Sequence, residues 1–143
     1  ATASVNDFGR VVSPTIVRGQ ADGGAVQGIG QALTERVAYD AETGQLQSAS
    51  FMDYALPHAD GFLGFKTAFD TSIPCKTNPL GVKGVGELGT IGATPAVDNA
   101  VIDALDHAGL GAAAEAIQMP VTAERVWRAL NLKQFDASPF KLV

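Results

Sequence analysis

The sequence predicts an α/β fold of short, mostly antiparallel strands with two to three helices packed over them. Three observations carry this. Apolar residues recur at three- and four-residue spacing in three segments, whereas short β-branched runs are separated by turn residues. The third is bulk: with 143 residues, 46% of them hydrophobic, the chain is long enough for one compact core and too short for several independent domains. Residues 1–143 are therefore expected to form a single unit.

The elements follow in order. Residues 1–12 carry β-branched residues around Asn6-Asp7-Phe8-Gly9, a turn signal that predicts a hairpin of Ala3-Ser4-Val5 and Arg10–Ser13, ended by Pro14. From Gln20 to Ala38 the positions Ala25, Ile29, Ala32, Leu33 and Val37 form one helical stripe. Its first half holds Gly19, Gly23, Gly24, Gly28 and Gly30. Each interior glycine costs a helix roughly 1 kcal/mol relative to alanine, so something must pack very close to this backbone. A second hairpin is expected from residues 37–39 and 46–48 around Glu42-Thr43-Gly44, followed by a loop at residues 57–61. A strand is expected near Phe62, Phe65 and Phe69, then an extended segment between Pro74 and Pro79. A helix is predicted from Thr94, with Pro95 early, Val97, Ala100, Val101, Ala104 and Leu105 on one face, and Gly109 as the stop. The last helix starts at Thr122 as cap, with Glu124 in its first turn and Val126, Ala129 and Leu130 as its buried face.

Composition narrows function. Ten basic against fifteen acidic residues give a net charge of -5, without a basic cluster that could neutralise a phosphate backbone, so nucleic acid is not an expected partner. No run is long and apolar enough for a membrane span, and the first residues lack a signal-peptide layout, which predicts a soluble, cytoplasmic protein. Cys75 is the one cysteine, so this chain by itself holds no disulfide, thiolate zinc site or iron-sulfur cluster.

The chemistry concentrates in GVKGVGELGTIG, residues 81–92, where five glycines surround one carboxylate, Glu87. Its core, GVGELG, satisfies the dinucleotide pattern G-x-G-x-x-G, but such a loop should follow a strand and open a helix at once. Residues 76–81 show no strand pattern, and helical periodicity resumes only after Thr94. A plain turn, in contrast, gives no reason for the carboxylate. In a third reading the glycines let backbone amides approach a bulky ligand while Glu87 projects toward it as a general base. A carboxylate enclosed in a partly dry pocket accepts protons better near neutral pH, and Lys83 would oppose this if it faced the same pocket.

Residues 83–105, KGVGELGTIGATPAVDNAVIDAL, resemble a segment near the C-terminus of the molybdenum-binding large subunit in the xanthine dehydrogenase, aldehyde oxidase and aerobic carbon monoxide dehydrogenase family. GQADGGAVQGIGQALTE at 19–35, SFMDYALP at 50–57 and MPVTAERVWRAL at 119–130 are similar to further stretches of that subunit, in the same order. The resemblance implies a C-terminal portion of a larger molybdopterin-binding domain, catalytically incompetent alone. It implies molybdenum-molybdopterin as cofactor, shared with the rest of the large subunit, and iron-sulfur and FAD centres on other domains or subunits of an oligomer. Glu87 occupies the position of the family's general base, which takes a proton from a water-derived nucleophile as an aldehyde or N-heterocycle is oxidised. Gln20 matches a glutamine that hydrogen-bonds the pterin, and Gly84, Val85 and Gly86 would bring backbone close to the cofactor. No side chain here is implied as a metal ligand. The alternative is a non-catalytic interaction or nucleotide-binding module that shares the glycine-rich turn.

Other residues have structural readings. His58 and His107 are lone histidines, Cys75 a half-exposed structural thiol, and Trp127 a packing residue. Asp53 and Tyr54 are expected in a buried polar network. Asp98, Asp103 and Asp106 read as the solvated face of their helix.

Overall fold

A computed structural model of the chain describes residues 2–131. Its elements are β1 (Thr2–Asp7), α1 (Pro14–Leu33), a 3-10 turn at Ala59–Gly61, β2 (Phe65–Asp70), α2 (Leu88–His107), a single-turn α3 (Ala112–Glu115) and α4 (Ala123–Asn131). The α/β class holds, with three longer helices and a two-stranded sheet. The strand direction does not: β1 pairs with β2 in parallel, from Thr2 opposite Phe65 to Asp7 opposite Asp70.

The expected first hairpin fails for a packing reason. Phe8, placed at the supposed turn, is 1% exposed and packs edge-on against Phe69 with ring centroids 4.9 Å apart. That burial draws the segment alongside β2, and the Phe8 amide extends the pairing by donating to the Asp70 carbonyl. Gly9 then bends the chain at φ 57°, its amide donating to Asp7 Oδ1. Arg10–Ser13 form no strand because the chain turns at once into α1. The Val17 amide donates to the Ser13 carbonyl, so Pro14 takes the first helical position, where its missing N–H has no consequence. The second hairpin reduces to a single antiparallel bridge, Tyr39 with Leu46.

Contact density divides the chain into two compact units: residues 1–28 with 57–93, and residues 29–56 with 94–143. In the first, the sheet, the start of α1 and the glycine-rich segment come together around Phe8, Ala21 and Gly24. The Asp22 carboxylate accepts from the Thr67 hydroxyl at 2.5 Å, and Arg18 lies 5.1 Å over the Phe69 ring while donating to the Thr67 carbonyl. In the second, Leu105, Leu110 and Ala114 form a buried cluster, against which Val101, Ile102, Ile117, Val126 and Ala129 pack.

The predicted helices are present with shifted bounds. α1 begins six residues before Gln20. α2 likewise begins six residues before Thr94, so Pro95 lies inside it rather than at its start. Its inward face is Thr94, Asp98, Val101 and Leu105, whereas Ala100 and Ala104 are exposed. Asp98 thus departs from the solvated reading: its Oδ1 is buried without a hydrogen-bond partner among the described residues. In α4 Val126 and Ala129 pack inward, but Leu130 is 43% and Trp127 64% exposed, so Trp127 is not a packing residue among the described residues.

Candidate active site

The glycine-rich stretch is half loop and half helix. Residues 81–87 are loop and turn; Leu88 opens α2, and Gly89 and Gly92 lie within the helix. Glu87 caps it, since the Ile91 amide donates to the Glu87 carbonyl at 3.1 Å. GVGELG therefore opens a helix, as a dinucleotide loop would. Before it, however, there is no strand, only a bridge of Val82 to Gly9.

What packs against the glycine-rich helix is this first turn of α2. A Cβ built on Gly24 would stand 3.2 Å from Gly89 Cα, and one built on Gly89 would meet the Ala21 carbonyl oxygen and stand 2.7 Å from the Ala25 amide nitrogen. Real Cβ atoms do not approach backbone as closely as the one at Gly89 would, so that position requires glycine, and at Gly24 a Cβ fits only if the facing backbone gives by a few tenths of an ångström. The Thr90 hydroxyl donates across the same contact to the Gly24 carbonyl at 2.9 Å, with a longer contact to Gln27 Oε1 at 3.4 Å. Ala21, Gly24 and Gly28 form a buried stripe of small residues along α1. This meets the expectation that something lies very near that backbone.

Gln20 sits one helical turn before Gly24, on the same face of α1, and is exposed. Glu87 is also exposed. Neither the Gln20 amide nor the Glu87 carboxylate is engaged by another side chain among the described residues. Gly84 and Gly86 are exposed, and a Cβ at either would meet no atom within 4 Å. Val85 instead lines an open, mainly apolar hollow of about 190 Å³ with Phe8, Val12, Ile16 and Val82, which seats the loop. A larger hollow, about 360 Å³, is lined by Ser48, Ala49, Ser50, Phe51 and Tyr54 and contains none of the predicted site residues.

Lys83 does not stand free beside Glu87: its Nζ pairs with the Asp7 carboxylate at 2.5 Å. The hydrogen bond from Lys83, with that from the Gly9 amide, holds the Asp7 carboxyl below the usual carboxylate range. The pair ties the loop to the end of β1. Further support comes from Asn78, whose side chain donates to the Val82 carbonyl and accepts from the Val82 amide. Cys75 is half-exposed and its thiol lies 3.1 Å from the Thr77 hydroxyl, a contact that lowers its pKa together with nearby backbone amides and Lys83.

The remaining candidates separate from this site. Tyr54 donates to Glu35 Oε2 at 2.5 Å in a partly buried pair, which pushes the phenol up, while Asp53 is exposed and accepts from Ser50 within its own turn. The expected buried network is thus a single half-buried pair. His58 is exposed in its loop. His107 is exposed too, its ring nitrogen 2.8 Å from the Asp103 carbonyl, and that contact raises its pKa. Sequence reasoning missed Thr90 and the pairing of Gly24 with Gly89. The signal available for the latter was the density of glycines in two segments at once.

Among the described residues no three His, Cys, Asp or Glu side chains come together to hold a metal ion, and no helix is long and apolar enough to cross a membrane. The groups on offer are an uncommitted amide, exposed backbone without side chains, and a carboxylate. That donor set fits a polar heterocyclic cofactor carrying its own metal.

The comparisons agree. Residues 1–62 match the molybdopterin cofactor-binding domain family. The nicotine 6-hydroxylase large subunit of Paenarthrobacter nicotinovorans is 44% identical over 126 residues, 88% of this chain and 15% of that protein. The carbon monoxide dehydrogenase large chain of Afipia carboxidovorans is 38% identical, over 87% of this chain and 15% of that one. Among solved structures, quinoline 2-oxidoreductase from Pseudomonas putida superposes with a TM-score of 0.78 at 38% identity, over 90% of this chain and 16% of that one. The chain spans about 15% of the length of the curated relatives it matches. With similarity to these large subunits over most of its length and a shared fold, the chain belongs to the molybdenum hydroxylase family, as a portion of its molybdopterin-binding large subunit.

Proposed function

We propose that the protein to which this chain contributes is a molybdenum hydroxylase that oxidises an aldehyde or an N-heterocycle with water-derived oxygen, and that Glu87 is its general base. The observation that carries this is the placement of Glu87: an exposed, unengaged carboxylate on the turn that packs backbone-to-backbone on α1, one helical turn from the exposed Gln20. When bound, molybdenum-molybdopterin supplies Lewis acidity toward water and a sink for two electrons.

The residues of this chain have separate tasks. The Gln20 amide offers a donor and an acceptor to the pterin ring. Gly84 and Gly86, free of side chains, present backbone groups that can come close to the cofactor, and Val85 anchors the loop in its hollow. A Glu87 carboxylate oxygen accepts the proton of the attacking water-derived oxygen and holds it until turnover ends. Because Glu87 is exposed among the described residues, the water-excluding surroundings a base requires would be supplied by the rest of the large subunit. That is why the chain alone is expected to be inactive. Iron-sulfur and flavin centres on other domains or subunits would be the onward electron carriers. The relatives named for nicotine and quinoline favour an N-heterocycle as the first substrate to try.

Glu87→Gln in the complete, purified enzyme tests the assignment. The amide is nearly isosteric but cannot accept the proton, so turnover should fall on the order of 10²- to 10⁴-fold with molybdenum content unchanged. Normal turnover in the variant would remove Glu87 from the role.

A further inference from the structure

We propose that Thr90 is a positioning residue for Glu87: its hydroxyl clasps the Gly24 carbonyl and fixes where the Glu87 turn sits along α1. This rests on the reading of Glu87 as the base and adds the device that aims it.

Glu87, Leu88, Gly89 and Thr90 form one turn, closed by the bond from the Ile91 amide to the Glu87 carbonyl. The Glu87 side chain is exposed and has no partner among the described residues. Its location is therefore inherited from the backbone of that turn. Two of the contacts that hold the turn to α1 do different things. The meeting of Gly24 with Gly89 sets how near the two backbones come, because Gly89 has no room for a Cβ and Gly24 has little. It sets less firmly where one lies along the other, since Gly24 and Gly89 themselves present no side chain to interlock and block sliding. A hydrogen bond is directional and short-ranged, and the one from Thr90 to Gly24 at 2.9 Å supplies the missing restraint. Gly24 lies one turn beyond Gln20 on the same face of α1. The clasp consequently refers the proposed base to the helix that carries the proposed pterin ligand.

The test compares Thr90→Val, Thr90→Ser and Glu87→Gln in the complete enzyme. Four quantities are read: kcat, KM, molybdenum per subunit, and backbone hydrogen exchange at residues 88–92, the last also in protein prepared without molybdenum. Valine keeps the shape and removes the donor. It should lower kcat on the order of 10- to 10²-fold, the effect of a small misplacement, with KM and molybdenum content unchanged. Exchange in the first turn of α2 should quicken with and without the metal, and serine should restore both rate and protection. Wild-type kcat and exchange in Thr90→Val would overturn the proposal. So would a loss of molybdenum with kcat per molybdenum unchanged, which would make the hydroxyl a support for cofactor retention. If Glu87→Gln is inactive while Thr90→Val is not, the positioning role alone fails; if Glu87→Gln turns over normally, the base assignment fails, and there is nothing to position.

Discussion

At the scale of single residues, glycines that look alike in the sequence do different work. Gly89 is a packing glycine: a methyl group there meets backbone, which cannot rotate away as a side chain can. Gly89→Ala should therefore push α1 and the Glu87 turn apart and destabilise the protein by roughly 1–3 kcal/mol, the usual cost of overpacking. Gly86, two residues before the helix, has open space where its Cβ would be and no positive φ. Gly86→Ala should leave stability within about 0.5 kcal/mol of the parent. If its backbone faces the cofactor as proposed, the same change should lower molybdenum content. Thermal unfolding and metal analysis of the two variants side by side separate the roles. Equal stability loss in both would mean that Gly86 is packed as well. Only neighbours distinguish these glycines, and neighbours are not written in a local pattern.

At the scale of elements, the sequence was most legible where burial and periodicity coincide. The second half of α2 is the clearest case, with Leu105 at 4% exposure in the cluster with Leu110 and Ala114. Leu105→Ala should cost roughly 2–5 kcal/mol through lost burial and the cavity left behind, read as a lowered unfolding midpoint. A loss near that of an exposed position such as Ala104 would mean the cluster is not a core. The first half of α2 was illegible for a physical reason. Leu88–Pro95 combines two glycines, two threonines and a proline, which have poor intrinsic helix propensity, and Pro95 mimics a helix start. The contact with α1 stabilises a helix that propensity alone would not. The parallel pairing of β1 with β2 was equally hidden: its partners are separated by 63 positions, and a hairpin is the economical local reading. Burial of Phe8 against Phe69 decided otherwise.

At the scale of the whole molecule, the described residues leave large apolar side chains in water. Met52 and Leu63 are each 93% exposed, Phe51 82% and Val5 77%. A two-stranded sheet is also marginal by itself, and parallel sheets are ordinarily covered on both faces. Since the chain spans about 15% of the length of its relatives, the rest of the large subunit is the proposed cover. Expressed alone, the chain should self-associate and bind apolar dyes; sedimentation at several concentrations checks this. A stable 14.7 kDa monomer with no dye binding would show that these faces need no cover.

By itself the sequence determined the family, the chemically able carboxylate in its glycine-rich setting, the helix whose glycines demand a close neighbour, and the α/β class. These are carried by residue type and local spacing, which the chain displays directly. Tertiary structure alone decided that the neighbour is the first turn of α2, that Thr90 clasps it, that Lys83 is committed to Asp7, and that the strands run parallel. Each of these joins residues dozens of positions apart, and such contacts form only when burying Phe8, Ala21 and Gly24 together outweighs the local preference of each segment.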